Sequence, residues 1–94
     1  MKRLYVLIDE SLNPIYGAVQ GGHCVAQWLL DHPNQQWNNH TLVYLACDIE
    51  KEFIELRNKN KDFSYFVEPD LGNKLTTCAI LGNKNAFKSL KLLA

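Results

Sequence analysis

Net charge is the first thing missing: ten Lys and Arg residues balance ten Asp and Glu residues over 94 positions. No global field draws a polyanion to such a chain, so a nucleic-acid partner has to be met by a local patch. Long apolar runs are missing too. The opening Met1-Lys2-Arg3-Leu4-Tyr5-Val6-Leu7-Ile8 carries too short an apolar stretch for a signal peptide or a membrane span, which points to a cytoplasmic protein with no membrane partner. Cysteine is scarce and odd in number. Cys24, Cys47 and Cys78 lie in apolar surroundings, and neither CxxC nor HxxxH spacing occurs. A disulfide framework and a metal site are therefore set aside, no cofactor is expected, and the three read as small core residues of a reducing compartment. Asn39-His40-Thr41 spells a glycosylation sequon, which without a secretory signal is read as chance. Repeats, low-complexity tracts and linkers are absent, so residues 1–94 are read as one domain.

What is present is an ordinary globular composition, 47% hydrophobic and 21% charged, which argues against disorder. Leu4 to Ile8 is apolar without alternation and predicts a strand buried on both faces. From about Gly17 to Leu30 the spacing of Val19, Gly22, Ala26 and Leu29 predicts a helix buried on that side. Gln20, Gly21, Cys24 and Gln27 make its second, more polar face, and His23 lies near the boundary. Gly21 and Gly22 inside a helix cost about 1 kcal/mol each relative to Ala, a cost that makes sense where something approaches the helix backbone closely. Pro33 bars continuation. Asn34 to His40 reads as a loop whose Trp37 folds back onto the domain.

Thr41 to Cys47 predicts a second interior strand, followed by a helix capped by Asp48 with Ile49, Phe53 and Leu56 on one face. Phe63 to Val67 is a third strand and Lys74 to Leu81 a fourth, with Thr77 and Thr76 on opposite sides. After Gly82-Asn83 a last helix is expected, with Ala86, Phe87, Leu90 and Leu93 as its apolar stripe. The order β-α-β-α-β-β-α asks for parallel neighbours across the two helical crossings and an antiparallel pair across the short Glu68–Asn73 link. A mixed four-stranded sheet with helices on both faces, an α/β/α sandwich, meets both demands.

Three features carry chemistry. Gln20-Gly21-Gly22-His23 puts a proton-transferring side chain near a helix start, where the dipole disfavours its charged form; a histidine there is also met as a simply packed residue. Glu68-Pro69-Asp70-Leu71-Gly72-Asn73 sets two carboxylates about a stiffening proline with a glycine free to take positive φ, and is equally a well-formed hairpin turn. Lys84, Lys88 and Lys91, with Lys74, form either a solvated face or a phosphate-contact strip.

At these residues the chain resembles the type 2 peptidyl-tRNA hydrolases. Ala18-Val19-Gln20-Gly21-Gly22-His23 is similar to the A-A-Q-x-x-H part of their helix motif, Asp70-Leu71-Gly72 to their D-x-G turn, and Ile80-Leu81-Gly82 to the end of their last strand. The resemblance spans nearly the whole chain and implies sheet order 2-1-4-3 with one antiparallel hairpin. It implies hydrolysis of the peptidyl-tRNA ester without a metal: Asp70 orienting or activating water, His23 and Gln20 contacting the ester or terminal nucleotides, and Thr76 or Thr77 donating a hydrogen bond. Lys74 would neutralise phosphate, with Tyr16, Lys84 and Lys88 also meeting RNA. The chain departs from the family pattern at Tyr16, where the motif has lysine, and at Lys74, where D-x-G-x-T has threonine. The alternative is a binding module of the same fold, directed at RNA or protein, that has lost hydrolysis. The apolar content and the two tryptophans also fit a homodimer. All these readings need the first helix and the acidic turn to meet at one sheet edge.

Overall fold

Strand β1, Arg3–Asp9, extends the Leu4–Ile8 run by one residue at each end, and Leu4 through Asp9 are all buried. The structure, a computed structural model, describes residues 2–35 and 37–93. Strand β2 (Leu42–Cys47) lies parallel to β1 on one side, Leu4 opposite Leu42. On the other side β4 (Lys74–Gly82) runs antiparallel, Leu4 opposite Leu81. β3 (Ser64–Glu68) pairs antiparallel with β4, and the two-residue β5 (Lys91–Leu92) antiparallel with β2. The spatial order is β3-β4-β1-β2-β5. The expected run 2-1-4-3 sits inside this five-stranded mixed sheet, and the expectation of four strands is corrected by β5.

Helix α1 (Pro14–Asp31) begins with Asn13, whose Oδ1 accepts from the Ile15 backbone N–H at 2.9 Å, and with Pro14, which has no N–H to satisfy. Helix α2 (Ile49–Asn58) starts at Asp48 and has Glu50 and Glu52 in its first turn and Arg57 in its last, matching the helix dipole. The crossover β1-α1-β2 steps one way along the sheet and β2-α2-β3 steps back. Right-handed connections that step in opposite directions place their helices on opposite faces. Cys24 and Trp28 of α1 accordingly pack with Leu4, Val6 and Ile8, whereas Ile49 and Leu56 of α2 pack with Tyr5, Leu7, Leu45 and Cys78.

Three expectations change. The last helix is not there. Two successive turns, Ala86 N–H to Asn83 O and Leu90 N–H to Phe87 O, carry the chain across the α2 face, with Phe87 at φ 59. A left-handed Phe87 cannot continue a helix; it turns its ring onto Tyr5, centroids 5.2 Å apart, so Ala86, Phe87 and Leu90 still reach the core. The layer opposite α1 is therefore one helix and an irregular strap.

Second, the faces of α1 are exchanged. Gln20, Gly21, Cys24 and Trp28 are buried, while Val19, Gly22, Ala26 and Leu29 face outward. The glycine argument holds at Gly21 alone of that pair: a Cβ there would lie 2.8 Å from the Tyr44 ring, whereas Gly22 faces open space. Third, the β3–β4 register shifts between Phe66 and Val67, which pair with Thr77 and Leu75. Thr76 is the extra residue of this bulge, and the bulge turns it towards α1 instead of α2.

Trp37 does fold back, packing beside the α1-side core and donating its ring N–H to Thr41 O at 3.0 Å. Cys24, Cys47 and Cys78 are buried free thiols. Burial pushes Cys24 up to about 11 and Cys47 up to about 12, so both stay protonated.

Gly21→Val is expected to cost about 1–3 kcal/mol in urea unfolding, because the new side chain meets the Tyr44 ring. The loss should shrink when Tyr44 is first shortened to Leu, and an equal loss in both backgrounds refutes the clash. A pH dependence follows from His32, whose Nδ1 faces Trp28 O at 3.0 Å and whose Nε2 faces Asp62 at 2.8 Å. Burial of the ring lowers its pKa, but two acceptors favour the doubly protonated ring and the net shift is upward. The resulting stability is full below the ordinary histidine value of about 6.5 and is lost as pH rises through the higher folded value. Unfolding midpoints measured from about pH 6 to 8 should fall in the wild type and flatten in His32→Gln.

Candidate functional site

The helix motif and the acidic turn meet along the seam between α1 and β3. Gln20, fully buried, donates its amide N–H to Glu68 Oε1 at 3.0 Å, and its carbonyl accepts from Thr76 Oγ1 at 2.8 Å. The Tyr16 hydroxyl donates to the same Glu68 oxygen at 3.4 Å, and the other carboxylate oxygen faces the Asp70 backbone N–H at 3.5 Å. A chain of hydrogen bonds thus runs Thr76–Gln20–Glu68–Tyr16, from the core to the surface. Burial and the nearby Glu68 and Asp70 carboxylates push the Tyr16 phenol above its ordinary value, which keeps it protonated as a donor.

One turn further along α1, the exposed His23 ring stacks on Phe66, centroids 4.7 Å apart and planes 5° from parallel. It makes no hydrogen bond among the described residues. Asp70 sits exposed in the short 3-10 turn Pro69–Leu71 that follows β3. Gly72 at φ 66 and Asn73 at φ 61 then reverse the chain into β4, the positive φ that the turn sequence predicts at Gly72.

The corner lies at the carboxyl end of β1, beside the point where the chain steps one way to β2 while β4 occupies the other side. Ligands of open α/β sheets bind at such places. Asp9, the last residue of β1, is buried there and paired with Lys74, Nζ to Oδ2 3.0 Å. Burial alone would raise its pKa; the Ser11 backbone N–H and Lys74 outweigh that and lower it. Lys74 is thereby compensated and is not a free cation.

The predicted site residues divide by place. His23 and Asp70 are exposed and Tyr16 half-buried, so these three can meet a substrate. Gln20, Thr76 and Thr77 have no exposed surface. Thr76 acts through Gln20, and the Thr77 hydroxyl lies unpartnered in the core. Among the RNA-contact residues, Lys84 lies just beyond the far end of β4 from Lys74. Nine strand residues separate the two ends by ~27 Å, so Lys84 does not join Tyr16 and Lys74 in one patch, and Lys88 belongs to the strap that packs on the α2 side of the sheet, opposite α1 and Tyr16. A groove of ≈ 480 Å³ lined by Lys2, Lys59, Asn83, Phe87 and the Ile80-Leu81-Gly82 strand end also lies at that far end and holds none of the predicted site residues.

Glu68 was read from sequence only as one of the two carboxylates of the acidic turn, with no role of its own, and Asp9 was not singled out, although a carboxylate closing a strand at the sheet's carboxyl end is a readable signal. No family model matches the chain, and no curated protein matches it either. Among the described residues no group of three or more His, Cys, Asp and Glu side chains is placed to hold a metal ion. No helix among them is long and apolar enough to cross a membrane.

Lys74→Met should destabilise the fold by about 1–3 kcal/mol at neutral pH, because the buried Asp9 carboxylate loses its cation. Asp9 has a lowered folded pKa, so its contribution is present above the ordinary carboxyl value of about 3.9 and is lost as pH falls through the folded value. The gap between wild type and variant should therefore narrow in acid; a gap independent of pH would sink the pairing argument.

Proposed function

We propose that this domain hydrolyses the ester bond joining a peptide to the terminal ribose of tRNA, releasing peptide and free tRNA. The observation that supports the reading is the clasp of Gln20 and Tyr16 on Glu68, which ties the helix motif to the acidic turn; the exposed His23 follows Gln20 by one turn of α1, and the exposed Asp70 follows Glu68 by two residues. Ester hydrolysis needs a group to take a proton from the attacking water and a donor for the oxyanion. Asp70 serves as the base, and the Tyr16 hydroxyl and a His23 ring N–H face the ester as donors. Gln20 and Thr76 are positioning residues that hold Glu68, and through it Tyr16, in place. Terminal bases stack against the His23–Phe66 pair, since stacking is tolerant of sequence and needs no net charge.

One observation favours the rival, a module of the same fold that binds RNA or protein without hydrolysing. Tyr16 stands where the resembled motif has lysine, and Lys74 is already paired, so the corner offers no free cation to a phosphate. The two readings separate in one assay. With N-acetylaminoacyl-tRNA, the wild type should turn over, and Asp70→Asn and His23→Ala should each lower kcat/KM roughly 10²–10⁴-fold. Turnover unaffected by both variants would remove the corner from the chemistry. Undetectable turnover in the wild type, with tRNA binding that changes little as salt rises and weakens in His23→Ala, would establish the module instead.

A further inference from the structure

Helix α1 turns an unusually apolar side to solvent. Ile15 is 80% exposed, Val19 54%, Leu29 49% and Leu30 75%, with Gly22 and Ala26 exposed between them. The helix carries no Lys, Arg, Asp or Glu before its last residue, Asp31. Exposed helices of soluble domains normally present charge outward, and contiguous apolar surface marks an interaction site. Ile15, Val19, Gly22, Ala26 and Leu29 are spaced 4-3-4-3, the seam of a helix that packs against another helix. The tryptophans do not supply such a surface: Trp28 is buried and Trp37 is packed against the core.

We infer that this face is the interface between two copies of this chain, packed antiparallel through α1 about a two-fold axis at Gly22. The sequence of the face identifies the occupant. The exposed positions are nearly symmetric about Gly22: Ile15 and Leu29 lie seven residues to either side, and Val19 three before it comes level with Ala26 four after it in an antiparallel copy. A two-fold interface requires such self-complementarity, since residue i of one copy meets residue j of the other and the reverse. Gly22 has nothing within 4 Å of where its Cβ would be, so the middle of the face is open for a second backbone. With no charge on the seam, two identical faces meet without repulsion. The helix is ~27 Å long, and burying its outer stripe on both copies removes on the order of 1,000 Å², the lower bound for a specific interface. Interfaces of that size belong to weak, transient associations.

Sedimentation equilibrium over roughly 5 to 200 µM tests the inference. The wild type should pass from monomer to dimer across that range. Val19→Glu should weaken association at least tenfold. Gly22→Leu should do the same, although it adds apolar surface, because the leucine holds the helices apart; stronger association in Gly22→Leu would indicate unspecific stickiness and overturn the inference. Both positions are exposed, and unchanged circular dichroism shows that the variants are folded. Under oxidation, a mixture of Ile15→Cys and Leu29→Cys proteins should give mixed cross-links in preference to like pairs; predominance of like pairs refutes the antiparallel arrangement. A wild type that stays monomeric at the highest concentration overturns the proposal outright, including where it pellets with phosphatidylcholine vesicles.

Discussion

A fully buried amide governs the architecture of this domain. Gln20 sits midway along the inner face of α1 with no access to water, and an unpaired amide there would cost about 1–3 kcal/mol. Its carbonyl is satisfied by Thr76, which reaches it because the β3–β4 pairing carries an extra residue. Its amino group is satisfied by Glu68, the last residue of β3. One side chain thus ties helix, bulge and turn together. Glycines beneath the helix serve the same docking: Gly17 lies against Ile8 and Gly21 against Tyr44.

Much of the fold could be read from the sequence because it is written locally. The uninterrupted apolar run at Leu4–Ile8 marks an interior strand, Asp48 marks a helix start, and Gly72 marks a reversal of the chain. The exchange of the faces of α1 was not legible. Periodicity reports that Val19, Gly22, Ala26 and Leu29 share a side, but not which side meets the sheet. Here the close approach of Tyr44 and the bonding of Gln20 decide it, and both depend on partners more than twenty residues away. Thr76 escaped for a related reason, since strict alternation cannot foresee a bulge. Residues 83–90 mislead because their apolar spacing is helical while Phe87 adopts a left-handed backbone to reach Tyr5.

At the candidate site, Gln20, His23 and the acidic turn were each visible in sequence, and their meeting was a wager on topology. What could not be seen was that Glu68, not Asp70, clasps the helix, or that Asp9 takes the charge of Lys74. The composition is balanced in charge, but at this corner acidic groups outnumber free bases. A polyanionic partner would be held there by shape and stacking more than by Coulomb attraction, and its grip would respond weakly to ionic strength.

The two rims of the sheet are unequal. β5 occupies the rim of β2 beside Leu45 and Ala46, and the chain that follows it returns under α1, where Leu93 donates to Tyr44 O. The outer rim of β3 has no such companion among the described residues, and Tyr65 stands half exposed on it. Extension of this sheet by a foreign strand is consequently a one-sided affair: main-chain groups are on offer along Ser64–Glu68, and an incoming segment would arrive beside the clasped Glu68.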